Sequence, residues 1–208
     1  MNNDTLPTPK NVRFVELGER TSRALAEGDL AGGSAEAGVA LDEYFVSDRS
    51  RYIFGYRADQ IAKDPSAAPW IARAAVSEPD GTVVGDAGFH GPPSEAGVLE
   101  IGYTVAPQYR RQGYARAMVR ALLARAAEEP GVRTVRATIR SDNTASLATV
   151  AGAGFTRVGE KGNEEDGFEV VFELELGRLV LETPGSAGSV GTAGTAGTAG
   201  TAGTVQAE

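Results

Sequence analysis

Ala115, Met118, Val119, Leu122, Leu123 and Ala126 fall at i, i+3, i+4, i+7, i+8 and i+11, with Arg116, Arg120 and Arg125 off that line. This spacing is the apolar stripe of an amphipathic α-helix and predicts one over Tyr114–Glu128. Just before it the period is two. Leu99, Ile101, Tyr103 and Val105 face one way and Glu100, Gly102 and Thr104 the other, a strand over Val98–Val105. Upstream, Val12–Leu17 and Trp70–Ser77 read as strands. Glu78-Pro79-Asp80-Gly81 reads as a turn, because proline presets φ and glycine supplies φ > 0. Thr82–His90 is then the partner strand, broken by Gly91-Pro92-Pro93. Short helices are predicted over Arg20–Gly28, Ala35–Phe45 and Arg57–Lys63, the last stopped by Asp64-Pro65. Downstream come a strand (Arg133–Ile139), a helix (Thr144–Ala151) and two strands (Thr156–Gly159 and Glu169–Leu176). The order predicts an α/β domain: a single mixed, mostly antiparallel sheet flanked by helices.

That pattern stops near residue 183. The remainder repeats Thr-Ala-Gly and carries almost nothing large enough to bury, so residues 183–208 are expected to be a disordered tail. Residues 1–10 are expected to be flexible, leaving one domain over 11–182.

Charge and composition remove several classes of function. A formal net charge of −8 speaks against nucleic acid as a partner, because phosphate backbones need clustered Lys and Arg. Cysteine is absent and His90 is the only histidine. Disulfides, thiolate metal sites and cysteine nucleophiles are excluded, and no metal is expected. No apolar run approaches a membrane span, and no signal peptide stands at the N-terminus, so a cytoplasmic protein is expected.

The corner between the central strand and the long helix reads Arg110-Arg111-Gln112-Gly113-Tyr114-Ala115. It lies where free backbone N–H groups and the positive end of the helix dipole point. Gly113 admits a ligand close to the backbone, and the arginines add charge, which makes an anion cradle suited to phosphate. Neither a P-loop nor a dinucleotide fingerprint is present.

This corner resembles the [Q/R]-x-x-G-x-[G/A] signature of the GNAT N-acetyltransferase superfamily. The strand and turn before it, LEIGYTVAPQYR, and the later segment SDNTASLATVAGAGF strengthen the likeness over about residues 70–176. GFHGPP and EIGY look most like the subgroup related to ribosomal-protein N-terminal acetyltransferases. The resemblance implies a GNAT fold and acetyl-coenzyme A as co-substrate. It implies that Arg110 to Ala115 bind the pyrophosphate through backbone amides. Asn143 would bond the pantetheine arm or the acetyl region, and Ser146 would sit near the thiol. The Val105 backbone would meet the acetyl carbonyl and pantetheine amides, across a gap faced by Ile139 and Arg140.

Acyl transfer to an amine needs a base, since amines are protonated at neutral pH. Glu100 is a carboxylate in an otherwise apolar strand, beside a glycine that opens space, and burial would raise its pKa. The resemblance adds weight, since a glutamate at this place is often the proposed base in the subgroup. Asp86 is expected on one face with Val84 and Gly88, selecting a cationic substrate or lining a polar cleft. His90 is a strand-end residue with either an edge or a site role. Many family members carry a tyrosine acid seven residues after the asparagine; here Val150 stands there, leaving Ser146 or water to protonate the leaving thiolate.

The expected activity is therefore transfer of an acetyl group from acetyl-coenzyme A to a primary amine, small-molecule or peptide, in a ternary complex. The alternative is a catalytically weak acyl-coenzyme A-binding module of the same fold. Residues 18–65 are expected to form the acceptor wall. Asp42, Glu43, Asp48 and Asp59 there suggest a cationic amine such as a peptide N-terminus, a polyamine or an aminoglycoside-like molecule. A monomer or homodimer is expected.

Overall fold

A computed structural model describes residues 9–179 except 79 and 164–166, so the expected tail lies outside the described residues. Seven strands form one sheet: β1 Val12–Glu16, β2 Arg73–Ser77, β3 Val83–Phe89, β4 Val98–Val105, β5 Thr134–Arg140, β6 Thr156–Asn163 and β7 Gly167–Glu175. Their spatial order is β1-β2-β3-β4-β5-β7-β6. Only β4 and β5 run parallel; every other neighbouring pair is antiparallel. The expected single mixed sheet is what forms.

The helices are α1 Glu19–Glu27, α2 Leu30–Ala37, α3 Asp48–Lys63, α4 Tyr114–Glu128 and α5 Thr144–Ala151, followed by a helical turn at Leu176–Leu179. On one face of the sheet, α4 buries Met118, Val119, Leu122 and Ala126 against Leu99, Ile101 and Val135. Full burial of each large side chain there contributes about 1.5–3 kcal/mol. The stripe is rotated slightly from expectation: Tyr114 and Ala117 are buried, and Ala115 is half-exposed. The other face packs Leu17, Leu25, Phe45 and Phe54 over Ala74 and Val76.

Two helical expectations need correction. Ala35–Phe45 is not one helix. Gly38 ends α2 at φ +67, and the chain resumes as a 3₁₀ turn, Glu43–Val46, capped by the Asp42 carboxylate on the Tyr44 N–H. α2 begins earlier, at the Asp29 cap, despite Gly32 and Gly33. A Cβ at Gly33 would lie 2.7 Å from a Leu25 methyl, so that glycine lets α2 close onto α1. α3 starts nine residues before Arg57, capped by Ser47. Its exposed Tyr52 and Tyr56 blur the apolar stripe of Phe54, Ala58 and Ile61.

Candidate active site

β4 and β5 pair only from Val98–Ile101 to Thr134–Ala137. Beyond Ile101, β4 stays with β3 and β5 stays with β7, so the two parallel strands part. The wedge between them opens toward α3 on one side and toward the first turns of α4 and α5 on the other. It holds an outer cleft of about 750 Å³ and an inner chamber of about 310 Å³. Both share Arg49, Tyr103, Thr104, Asn143 and Ser146 as walls.

The outer cleft ends on the glycine corner. Gly113 is the N-cap of α4 at φ +90, a conformation that penalises any side chain, and no side chain caps the helix. The first N–H groups of α4 therefore have no side-chain partner and border the cleft. Arg110, Arg111 and Arg116 line the same end. Arg111 is held at φ +60, the one non-glycine residue with positive φ among those described. Lys10 stacks its ammonium over the Tyr114 ring at 5.2 Å, and its carbonyl accepts from Arg120 Nη2. Uncapped amides, three guanidinium groups and an elongated cleft fit a diphosphate on a long ligand.

Not every residue of the corner faces the cleft. Gln112 turns its side-chain amide back to the Gln108 carbonyl at 3.1 Å and does not line the cleft. The Tyr114 side chain is buried, its hydroxyl 3.3 Å from Ser77 Oγ, so only its backbone is available. The Val105 carbonyl already accepts from Arg110 Nε at 3.2 Å. Asn143 caps α5, its Oδ1 accepting from the Ser146 N–H at 3.1 Å. That cap fixes Asn143 and half-buried Ser146 on the shared wall.

The inner chamber holds the titratable groups. The Tyr44 hydroxyl donates to Asp86. Burial lifts the Asp86 carboxyl to about 6, although Tyr44, Arg49 and Arg57 all pull it down. Burial, and then the Asp86 charge, push the Tyr44 phenol well above its ordinary value. His90 lines the chamber with its Nδ1 3.5 Å from Glu100 Oε1. A Cβ on Gly102 would lie 3.0 Å from His90 Nε2, so the glycine makes room for the imidazole. Burial lowers the His90 pKa, partly countered by the Glu100 charge. Thr138 Oγ1, on the same wall, is buried without a hydrogen-bond partner among the described residues.

Several expectations change here. Glu100 is not buried: its side chain is 25% exposed, and it lies behind His90, lining neither cavity. Asp86, half-buried like Glu100, is the carboxylate of β3 and β4 that lines the chamber. Val84 and Asp86 do not share a face. The register of β2 and β3 shifts between Ala75 and Val76, making Val84 an extra residue beside Gly85. Val84 thus joins Ala87 and Phe89 in the α4-side core, and Asp86 points to Tyr44. None of Asp42, Glu43, Asp48 and Asp59 lines the chamber. Asp42 accepts from Gln108 at 2.5 Å, and Asp59 faces Arg23 at 3.4 Å. The charged wall from this region is instead Arg49 and Arg57 of α3. Ile139 and Arg140 do border the chamber, as expected.

Val150 is fully buried in the core and faces no cavity. Tyr103, which sequence alone did not single out, brings a phenol to the shared wall, its hydroxyl 3.4 Å from the Ser146 carbonyl. Burial raises its pKa, so it stays protonated at neutral pH. The signal was its place one residue past Gly102 in a strand leading to the glycine corner.

The family model described as "Acetyltransferase (GNAT) domain" matches residues 42–156. No curated protein matches the sequence. Among solved structures, a GNAT-family acetyltransferase from Bacillus anthracis is 18% identical, with TM-score 0.52, covering 80% of this chain and 94% of that one. The dodecameric spermidine N-acetyltransferase from Vibrio cholerae is 10% identical, with TM-score 0.57 and coverage of 82% and 96%. A ribosomal L7/L12 α-N-protein acetyltransferase is 16% identical, with TM-score 0.56 and coverage of 82% and 96%. At these identities the structures share a fold with this chain. Among the described residues no helix is long and apolar enough to cross a membrane, and no three ligand-type side chains cluster to hold a metal.

Proposed function

The chain belongs to the GNAT acetyltransferase family, and on that premise we propose that it acetylates a primary amine by direct attack in a ternary complex. The observation that carries this reading is the shared wall of Tyr103, Thr104, Asn143 and Ser146. It joins a phosphate-type helix terminus at one end to a histidine–carboxylate pair at the other. Acetyl-coenzyme A, when bound, supplies the activated acyl thioester: a C–N bond forms to the amine as the C–S bond breaks.

The chain's own residues have distinct tasks. Arg110, Arg111, Gly113 and the backbone of Tyr114 and Ala115 hold the pyrophosphate, with Gln112 bracing the loop through Gln108. Val105 and Asn143 flank the pantetheine arm. His90, its side chain half-exposed at the chamber wall, accepts the amine proton at Nε2. Glu100 acts through His90: it orients Nδ1–H and stabilises the imidazolium that forms. Ser146 and the Tyr103 hydroxyl stand where a departing thiolate can take a proton. Incubation with acetyl-coenzyme A and an amine panel, followed by titration of free thiol, tests the proposal.

Burial of Val150, where many relatives of this family carry an acid, favours a second reading: a weakly catalytic acyl-coenzyme A-binding module. Tight binding without thiol release across the panel supports that reading over the first.

A further inference from the structure

Arg49, Ile53 and Arg57 stand at i, i+4 and i+8 of α3 and form one wall of the inner chamber. The two guanidinium groups leave the helix about 12 Å apart along its axis. Two of the other charged side chains of the chamber are matched by opposite charges: Arg140 pairs with Asp142 at 3.0 Å, and Glu169 faces Lys161 at 3.6 Å. Asp86 hydrogen-bonds only the neutral Tyr44 hydroxyl, and its single charge faces two arginines, Arg49 and Arg57. Arg57 has only neutral hydrogen-bond partners: its Nη1 donates to Gln60 Oε1 at 2.7 Å and to the His90 carbonyl at 3.5 Å. Arg49 has no hydrogen bond or ion pair among the described residues, and it borders both cavities. Burial lowers the Arg57 pKa and the Asp86 charge offsets only part of that, so a second anion beside it would relieve a cost.

We infer that the acceptor is a small primary amine that also carries a carboxylate, as an α-amino acid does, with Arg49 and Arg57 holding that carboxylate. The inference rests on the transferase reading and names its substrate class. Guanidinium groups present paired N–H donors that match a carboxylate, and partial exclusion of water strengthens the pair. The same two charges repel a polycation, so polyamines are selected against. The chemistry is unchanged: the ammonium proton leaves by way of His90, the C–N bond forms, and the C–S bond breaks.

The test compares the standard α-amino acids, each with its α-amide, and spermidine, by acetyl-coenzyme A-dependent thiol release. At least one acid should exceed its own amide by about tenfold or more in kcat/KM, the size expected for one charged hydrogen-bonded contact. Arg49→Gln and, separately, Arg57→Gln should bring that ratio toward one through KM for the acid, with Arg→Lys partly restoring it. Thermal melts confirm that the variants fold. Spermidine or the amides used as well as the acids, or a ratio unmoved by both variants, overturns the inference. Calorimetry of an N-acetyl amino acid against the coenzyme A-saturated protein separates the two levels. Arginine-dependent binding without turnover of any amine removes the transferase reading and leaves the carboxylate site. Turnover of amines without such binding does the reverse.

Discussion

His90 and Glu100 face each other across the β3–β4 ladder, with Nδ1 3.5 Å from Oε1 and the His90 N–H donating to the Glu100 carbonyl at 2.8 Å. The histidine alone reaches the chamber. Two residues that looked like competing candidates in the sequence are one unit, with the carboxylate behind the imidazole.

That order predicts unequal mutants. His90→Gln should lose about 10²-fold in kcat/KM, the low end for a general base. Glu100→Gln should lose less and keep a bell-shaped profile. Because the Glu100 charge raises the His90 pKa, its removal should move the acid limb to lower pH. A pH profile of both variants checks this. A Glu100→Gln loss as large as that of His90→Gln, with no residual acid limb, makes Glu100 itself the base.

Gly113 should be the most sensitive position of the corner. An L-residue at φ +90 costs about 1–2 kcal/mol. Gly113→Ala is therefore expected to lower stability by that amount and weaken acetyl-coenzyme A binding modestly. Gly113→Glu adds negative charge to the cradle and should abolish binding in calorimetry. Binding unchanged in both would remove the pyrophosphate assignment.

Asp86 predicts a pH-dependent stability. Its carboxyl titrates near 6 in the folded protein and near about 3.9 in an unfolded chain. The native state then holds the proton more tightly, so this group's contribution is full below about pH 4 and falls as pH rises through 6. Asp86→Asn lacks that loss. Its stability relative to the wild type should rise by about 2–3 kcal/mol between pH 4 and pH 7, read from denaturant melts at each pH. A flat difference would show that Asp86 is not held in this environment.

The bulge that separates Val84 from Asp86 depends on Gly85. A Cβ there would lie 2.0 Å from the Thr104 carbonyl oxygen, a backbone atom that cannot step aside. Gly85→Ala should destabilise the protein by about 3 kcal/mol or more and shift the Asp86 environment. Thermal melts measure the first, and the pH dependence of stability described for Asp86 measures the second.

Local rules carried the sequence far where one element sufficed. The spacing from Ala115 to Ala126 placed α4, alternation placed β4, and the glycine corner between them marked the helix terminus that borders the outer cleft, because periodicity and φ > 0 are properties of neighbouring residues. The strand parting beyond Ile101, the flip of Val84 across the sheet, the pairing of Glu100 with His90 and the entry of Arg49 and Arg57 into the chamber were not legible. Each depends on a register, a bulge or a helix docking between segments far apart in the chain. Sequence determined the sheet strands, α4, the family resemblance and the glycine corner. Tertiary structure decided which of Asp86 and Glu100 lines the chamber and which charges stand around it, because burial and pairing belong to neighbours in space.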